Sequence, residues 1–320
     1  MRVYHRDPST LTATAINMRS YRYLHYDVFT DHLFSGNQLA VVLEGRGLPS
    51  ETMQAIAKEM NFSETTFMLP AEQPDTDVRM RIFTPGEELP LAGHPTIGAT
   101  FALARTGVIE RGRERFVFGL NIGPVPVTMT WTGDELSFVW MTQPLPRYGE
   151  PIPDPARAAA ALSLSPAAVA GTGLPVQVVS CGVPFLFVPL TTRSAVDSAV
   201  VNRGVLDSLF TASKSSAHGV FVFSAEPGDS RATVYSRMFA PNIGIDEDPA
   251  TGSASGPLGC YLVRHKMVRP DRAETMVSLQ GVKMGRPSRV HISIGLDDGR
   301  INSVRVGGES VLAGEGTLYV

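Results

Sequence analysis

The chain of 320 residues has a formal net charge of −3, with 43% hydrophobic and 18% charged residues. This composition is typical of a folded protein, and its slightly negative charge gives no attraction to nucleic acid or to an anionic membrane surface. There is no run of about 18 apolar residues, so we expect no membrane-spanning helix. At this length, two domains of roughly 100 to 200 residues are expected.

The chain has two cysteines, Cys181 and Cys260. Two cysteines cannot build a disulfide framework, and no zinc-ligand spacing surrounds them, so the sequence predicts a cytoplasmic protein. Residues 1–20 lack the apolar core of a secretion signal and show no clear hydrophobic period. We expect them to form a disordered or additional N-terminal tail.

The N-terminal half alternates strand-like runs with helical patterns. A helix is predicted from Ser50, a candidate N-cap, to about Asn61. A strand begins shortly after it, which places Glu64 at a helix-to-strand junction, where functional side chains are often presented. Residues 78–82 then alternate apolar and charged side chains, which is the period of a half-buried strand.

Two distant segments share one pattern. In each, a strand-like run ends at an X-Pro pair, a loop carries one titratable side chain, and small residues open a helix. The first comprises residues 81–85 and 91–99, and the second comprises residues 237–241 and 246–254. Two helix starts that face each other would direct backbone N–H groups and positive dipole ends at one cleft, which suits an anionic ligand.

The order of elements around the first segment recurs around the second, which predicts two related lobes. The helix of the first segment is expected to run from about Pro95 to Gly107, and that of the second to about Arg264. We expect an N-terminal lobe at residues 21–140, completed by a strand from about residues 308–320, and a C-terminal lobe at residues 141–307.

Four side chains near these segments could carry chemistry. Glu64 has apolar neighbours, which can raise the pKa of a carboxyl group and suit it to proton transfer. His94 lies at a helix start, which lowers its pKa and favours the neutral ring. Asp248 occupies the matching place in the second segment. Ser253 and the backbone amides of residues 251–254 could hold a carboxylate.

Each of these side chains also has an ordinary structural interpretation. Glu64 could be a strand-edge glutamate bonded to its Ser and Thr neighbours, and His94 could bond a loop carbonyl. Asp248 could be an N-cap or turn aspartate, and Ser253 could serve only in helix capping. Spacing alone leaves these alternatives open.

The sequence does not match several well-defined motifs for nucleotide binding, hydrolysis or metal binding. The glycine spacing of Gly93 and Gly98 resembles a phosphate loop, but the Lys-Ser/Thr pair is missing. Ser253 does not lie in G-x-S-x-G, which weakens a Ser-His-Asp hydrolase. The acidic residues 246–248 have no second set of metal ligands, and no dinucleotide fingerprint is present. The sequence therefore predicts a reaction that needs neither a cofactor nor a metal.

Five blocks of sequence, in order, resemble the PhzF family of phenazine-biosynthesis isomerases. They are residues 27–37, 61–67, 83–96, 248–254 and 284–289. The resemblance implies an α+β fold of the diaminopimelate-epimerase type, with two pseudo-symmetric lobes. Each lobe would be a strongly curved, mostly antiparallel sheet around a central helix, with the site between the lobes. The resemblance also implies a homodimer.

The resemblance assigns roles to particular residues. The family's proton-transferring glutamate corresponds to Glu64, its histidine to His94, its aspartate to Asp248 and its substrate-contacting serine to Ser253. We expect these further residues to contact the substrate: Asn37, Ser63, Gly93, Thr96, Thr251 and Gly252.

The implied reaction moves a proton within a small carboxylate that is similar to trans-2,3-dihydro-3-hydroxyanthranilate. One alternative is an amino-acid racemase or epimerase that uses Glu64 and Asp248 as bases on opposite faces. Related epimerases use a thiol on each side of the cleft, but neither repeated segment contains a cysteine. Another alternative is a non-catalytic carboxylate-binding protein with the same fold.

Overall fold

The computed structural model describes residues 18–212 and 217–320. Most of the predicted N-terminal tail, residues 1–17, lies outside the described residues. Arg19 exchanges two backbone hydrogen bonds with Val320, and the first strand begins at Ser20. In the part of the chain that is described, no helix is long and apolar enough to cross a membrane.

The N-terminal lobe combines strands with two helices, and the C-terminal lobe follows without a break in the sheet. The elements of the first half are β1 Ser20–Val28, β2 Asn37–Val42, α1 Ser50–Met60, β3 Glu64–Leu69, β4 Val78–Phe83, β5 Glu88–Leu89, α2 Gly93–Arg105, β6 Arg115–Leu120, β7 Gly123–Thr132, β8 Glu135–Gln143 and β9 Arg147–Pro151.

The second half contains more helices, most of them short. Its elements are α3 Pro155–Ala161, α4 Pro166–Ala170, β10 Gln177–Ser180, β11 Pro184–Pro189, α5 Arg193–Ser198, α6 Arg203–Ala212, β12 Val220–Ser224, β13 Val234–Ala240, β14 Ile245–Asp248, α7 Gly252–Arg264, β15 Met276–Gln280, β16 Ser288–Asp297, β17 Arg300–Gly308 and β18 Ser310–Tyr319.

The strand pairings of one lobe recur in the other. In the first lobe β2 pairs parallel with β3, β3 antiparallel with β4, and β4 parallel with β6, which continues antiparallel into β7 and β8. In the second lobe β11, β12, β13, β15, β16 and β17 repeat that order and those directions. The predicted α+β fold with two pseudo-symmetric lobes is therefore confirmed.

Two further pairings connect strands of the C-terminal half of the chain to strands of the N-terminal lobe. Strand β17 lies antiparallel to β8, with Val304 opposite Gln143. Strand β18 lies antiparallel to β1, from Ser310 opposite Val28 to Tyr319 opposite Ser20. The last strand thus extends the sheet of the N-terminal lobe.

Each lobe has one helix in its core. Residues 93–103 of α2 are all buried, and so is most of α7. Small residues let the surrounding strands approach both helices closely, since a Cβ at Gly98 would lie 2.6 Å from Leu39 and one at Gly259 would lie 2.4 Å from Ile292. Helix α2 begins two residues before the predicted Pro95 and ends as predicted, with Gly107 at φ 76°.

The predicted N-cap of α1 is wrong. Pro49 holds the N-cap position with an extended backbone, and Ser50 is the first helical residue. The fixed φ of proline suits a helix entry, so the serine falls one position too late to cap. Its hydroxyl instead accepts a hydrogen bond from Arg81 at 3.0 Å. Asn61 ends the helix in the left-handed region, as predicted.

Candidate active site

Glu64 is the first residue of β3 and is buried between the lobes. The parallel pairing of β3 with β2 places it opposite Leu39. Its Oε2 lies 3.1 Å from Nε2 of His94, but the two atoms are not aligned for a hydrogen bond, and neither has another partner among residues 18–212 and 217–320. Burial, and secondarily the Asp248 carboxyl, raise the pKa of Glu64 well above its usual range.

His94 is the second residue of α2 and is buried. Burial lowers the pKa of its imidazole to about 3, so the ring is neutral at ordinary pH. The contact with Glu64 is therefore not an ion pair. On its other side, Nδ1 of His94 lies 3.2 Å from Nδ2 of Asn37.

Asp248 ends β14 and has a hydrogen-bond donor on each carboxylate oxygen. Oδ1 accepts from Asn37 at 2.7 Å and from Ser63 at 3.1 Å, and Oδ2 accepts from Thr251 at 2.6 Å. Burial raises the pKa of Asp248 to about 6, although these hydrogen bonds oppose the rise. Thr251, not Asp248, holds the N-cap position of α7, so Asp248 is not an N-cap residue.

Asn37 links the two lobes at this point. It is fully buried at the start of β2, and its amide also donates to the backbone oxygen of Ala250 at 2.9 Å. Gln280 adds a second amide on the far side, where it donates to the backbone oxygen of Asp248 and accepts from the N–H of Thr251. The backbone around Asp248 is thus fixed from both lobes.

The two central helices meet at their N-termini. A Cβ at Gly93 would lie 2.7 Å from Cα of Gly252 and 2.8 Å from the backbone nitrogen of Ser253. Only glycine permits this approach. The predicted arrangement, in which two helix starts face a common space, is present in the structure.

A cavity of about 110 Å³ lies between the lobes beside these groups. Its polar lining comes from Glu64, Asp248, Thr251, Ser253 and His218. The remaining lining is apolar apart from Gly182 and consists of Leu89, Pro90, Leu91, Ala92, Val183, Phe185, Met238, Ile243 and Ile245. The cavity therefore suits a small ligand that has an apolar body and few polar groups.

Not every predicted site residue reaches this cavity. His94 does not line it, and contacts Glu64 from behind the wall. Asn37, Ser63, Gly93 and Gly252 also lie behind the wall, where they hold His94, Asp248 or the helix starts in place. Thr96 is fully buried, and its hydroxyl donates to the backbone oxygen of Ala92 at 2.8 Å. A direct role for the Thr96 side chain in ligand binding is therefore not supported by its position.

The chain matches the PhzC-PhzF family model, described as phenazine biosynthesis-like protein, over residues 26–316. The protein belongs to the PhzF family. Two relatives are similar over nearly their whole length. An uncharacterized isomerase of Mesorhizobium japonicum is 36% identical over 95% of this chain and 100% of its own. The trans-2,3-dihydro-3-hydroxyanthranilate isomerase of Pseudomonas aeruginosa is 34% identical over 94% of this chain and 100% of its own length.

A solved structure shows the same fold. The PhzF-family phenazine biosynthesis protein of Bacillus anthracis superposes with a TM-score of 0.83 at 27% identity, over 95% of this chain and 100% of that one. The expected fold of the diaminopimelate-epimerase type is confirmed. Since the relatives of this PhzF-family chain are isomerases, the protein is an enzyme of the isomerase class.

Sequence reasoning missed His218 and most of the cavity wall. His218 follows a segment without a motif, and its backbone N–H bonds Pro184 at the start of β11. Nothing in its local sequence distinguishes it from a surface histidine. The apolar wall residues belong to runs that read as ordinary strands or loops, so only the folded chain shows that they line a cavity in this PhzF-family protein.

Proposed function

We propose that this protein is an isomerase that moves a proton between two carbons of a small carboxylate by general acid–base catalysis. Glu64 transfers the proton. The observation that carries this proposal is the buried Glu64 carboxyl, which lines the inter-lobe cavity and has an oxygen with no aligned hydrogen bond within the described residues. That oxygen, Oε2, lies 3.1 Å from Nε2 of the neutral His94 ring, and the Glu64 side chain borders the space that a substrate would occupy.

The surroundings of Glu64 suit proton transfer. Its raised pKa brings the carboxyl group closer to neutral pH, where one group can accept a proton and then return it. Glu64 would take a proton from a carbon whose electrons delocalise into a conjugated carboxylate or carbonyl. While Glu64 holds that proton it can exchange it with solvent, and it would then deliver a proton to another carbon of the same delocalised system, so that the substrate is neither oxidised nor reduced overall.

Asp248 would orient the substrate, and His94 would steer the protonation through its contact with Glu64. His94 is neutral and lies 3.1 Å from the Glu64 carboxyl, so it can exchange a hydrogen bond with that carboxyl as the protonation state of Glu64 changes. Ser253 lines the cavity at the start of α7, where free backbone N–H groups and the helix dipole favour a carboxylate. Negative charge that develops on the substrate would be stabilised there.

A racemase with two bases is the second candidate, because Asp248 lines the same cavity as Glu64. The hydrogen bonds of Asp248 count against it. Both of its oxygens already accept from Asn37, Ser63 or Thr251. A carboxylate held by three donors is a poorer base than one with an unbonded oxygen.

The substrate is proposed from the similarity to the isomerase of Pseudomonas aeruginosa, whose name specifies trans-2,3-dihydro-3-hydroxyanthranilate. The test is to incubate that compound, and a panel of small cyclic and acyclic carboxylates, with the protein in deuterated water. Mass spectrometry and NMR would then locate the deuterium. We expect one deuterium on a carbon that carried no such hydrogen in the substrate.

Two variants test whether the deuterium exchange depends on Glu64. Glu64→Gln should slow exchange by about 10² to 10⁴, the usual cost of losing an acid–base group, with ligand binding retained. Glu59→Gln changes an exposed glutamate of α1 and should behave as the unmodified protein. Label confined to the α-carbon of an amino acid would favour the racemase. Saturable binding without exchange on any compound would favour a non-catalytic protein.

A further inference from the structure

A second and larger cavity, of about 400 Å³, lies between the lobes. It shares no lining residue with the cavity at Glu64. One wall comes from the loop after β1 and the turn before β18, and the other comes from the C-terminal lobe. Its lining residues are Phe29, Thr30, Asp31, His32, Ser35, Arg231, Leu279, Pro287, Arg289, His291 and Glu309.

The wall from the C-terminal lobe has surplus positive charge. Arg231 and Arg289 both pair with Asp229, Arg289 at 2.5 Å and Arg231 at 3.4 Å. Two guanidinium groups therefore share one carboxylate. Nη1 of Arg289 has no hydrogen-bond partner within the described part of the chain, and the Arg231 side chain is 77% exposed. A ligand carboxylate would complete the hydrogen bonds of these two arginines.

The wall from the N-terminal lobe has surplus negative charge. Among the residues that the structure describes, the only hydrogen-bond partner of the Asp31 side chain is the imidazole of His32, at 2.5 Å, and Arg289 is near enough to help lower the pKa of Asp31. The carboxylate of Glu309 has no ion pair or hydrogen bond to any residue that the structure describes. Desolvation and the nearby Asp31 carboxylate raise the pKa of Glu309, and the neighbouring His32 opposes the rise.

The remaining lining of the cavity is mixed, with three apolar residues beside Thr30, His32, Ser35 and His291. Phe29 and Leu279 are buried side chains that form part of its lining, and Pro287 adds a third apolar surface. Burial and the neighbouring Arg289 lower the pKa of His291, so this ring adds no charge. A ligand that fits would combine a small apolar body with one positive and one negative group, each facing the wall of opposite charge.

We propose that this cavity binds a free amino acid with an apolar side chain. Its carboxylate would lie against Arg231 and Arg289, its ammonium group against Asp31 and Glu309, and its side chain against Phe29. A cavity of about 400 Å³ is within the usual range for small-molecule sites of 300 to 1,000 Å³. The ligand would bridge the two lobes.

This cavity is separate from the catalytic one but lies close to it. A Cβ at Gly252 would lie 3.0 Å from Cζ of Phe29, so the Phe29 ring touches the start of α7. Binding experiments must therefore show which of the two cavities is occupied. Variants of the charged walls and of Glu64 make that distinction.

The test is calorimetric titration of the full-length protein with each of the twenty protein amino acids. We expect saturable binding of L-leucine and L-phenylalanine. N-acetyl-L-leucine lacks the ammonium group and L-leucinamide lacks the carboxylate, so each should bind at least about tenfold more weakly, the effect of losing one hydrogen bond to a charged group.

Arg231→Gln and Glu309→Gln change exposed side chains and should leave the fold intact, yet each should weaken L-leucine binding about tenfold or more. Arg111→Gln removes an exposed arginine that pairs with Asp134 elsewhere, and it should bind as the unmodified protein does. Glu64→Gln should also bind normally. The proposal is overturned if no amino acid binds saturably, if both wall variants bind normally, or if Glu64→Gln abolishes binding.

Discussion

At the scale of single residues, Asn37 holds the candidate site together. Its buried amide contacts His94 and donates to Asp248 and to the backbone oxygen of Ala250. These partners come from both lobes. Because all of them are buried or nearly so, the hydrogen bonds cannot be replaced by bulk water, and their loss should be costly.

We therefore predict that Asn37→Leu destabilises the protein by about 1 to 3 kcal/mol, the penalty for leaving buried polar groups unsatisfied. It should also raise the pKa of Asp248 further, since the Asn37 hydrogen bond opposes the rise. Urea denaturation measures the first effect. Asn242→Leu, which removes an exposed amide that donates to Asp207 at 2.8 Å, should cost much less. Equal costs for the two variants would contradict the role given to Asn37.

The raised pKa of Glu64 makes a prediction about pH. A carboxyl whose pKa is higher in the folded state binds more protons there, so its contribution to stability is full below the unfolded pKa. That contribution is lost as pH rises from about 4.5 through the folded pKa. Glu64→Gln cannot ionise. Its stability relative to the unmodified protein should therefore increase above pH 4.5, as measured by denaturation at several pH values. A constant difference between the two proteins would contradict this assignment.

Some of these residue-scale features were accessible from the sequence. His94 and Asp248 occupy matching points of the repeated segments and Glu64 lies at a helix-to-strand junction, and the fold brings the three side chains close together. The bridging role of Asn37 was not accessible, since it depends on how β2 packs against the other lobe. Nor was the position of His218, which depends on the register between β11 and β12.

At the scale of elements, the close approach of α2 and α7 depends on glycine. A Cβ at Gly93 would lie 2.7 Å from the backbone of Gly252, and backbone atoms cannot move aside as a flexible side chain can. The two helix starts would have to separate. Since α2 carries His94 and α7 carries Ser253, their separation would also change the cavity.

We predict that Gly93→Ala lowers the free energy of unfolding by about 1 to 3 kcal/mol through overpacking, and lowers exchange activity as well. Gly204→Ala is the matched control, because a Cβ at that helical position would approach only Asn202, at 3.9 Å. Alanine is the better helix former, so the control should be neutral or stabilising by up to about 1 kcal/mol. Thermal unfolding compares the two. A neutral Gly93→Ala would show that the helix starts are not packed as described.

Element types were easier to predict than element partners. Alternation of apolar and charged residues identifies β4, and the repeat predicts both central helices, because these signals are local or internal to the chain. The pairing of β17 with β8 has no such signal, since a period of two indicates a strand without indicating its neighbour. The cap of α1 was predicted wrongly because Ser50 follows a proline that already holds the N-cap position.

At the scale of the whole molecule, a few buried contacts fix the lobes relative to each other near β1. Arg286 belongs to the turn before β16, yet its guanidinium donates to the buried carboxylate of Asp27 at 2.5 Å. It also donates to the backbone oxygens of Ser35 and Gly36. The loop that leads to Asn37 is thus attached to the C-terminal lobe.

The last prediction concerns this contact between lobes. Arg286→Gln should destabilise the protein by about 3 to 5 kcal/mol, because it leaves the Asp27 carboxylate, which is 1% exposed, without its charged partner. Arg22→Gln breaks a pair of similar length, 2.6 Å to Glu315, but these side chains are 59% and 56% exposed. Water screens that pair, so its loss should cost at most about 1 kcal/mol. Urea denaturation of both variants tests the difference. If Arg286→Gln costs no more than Arg22→Gln, the lobes are held by the paired strands alone, and the orientation of Asn37 towards Asp248 must be set by β2 rather than by the loop before it.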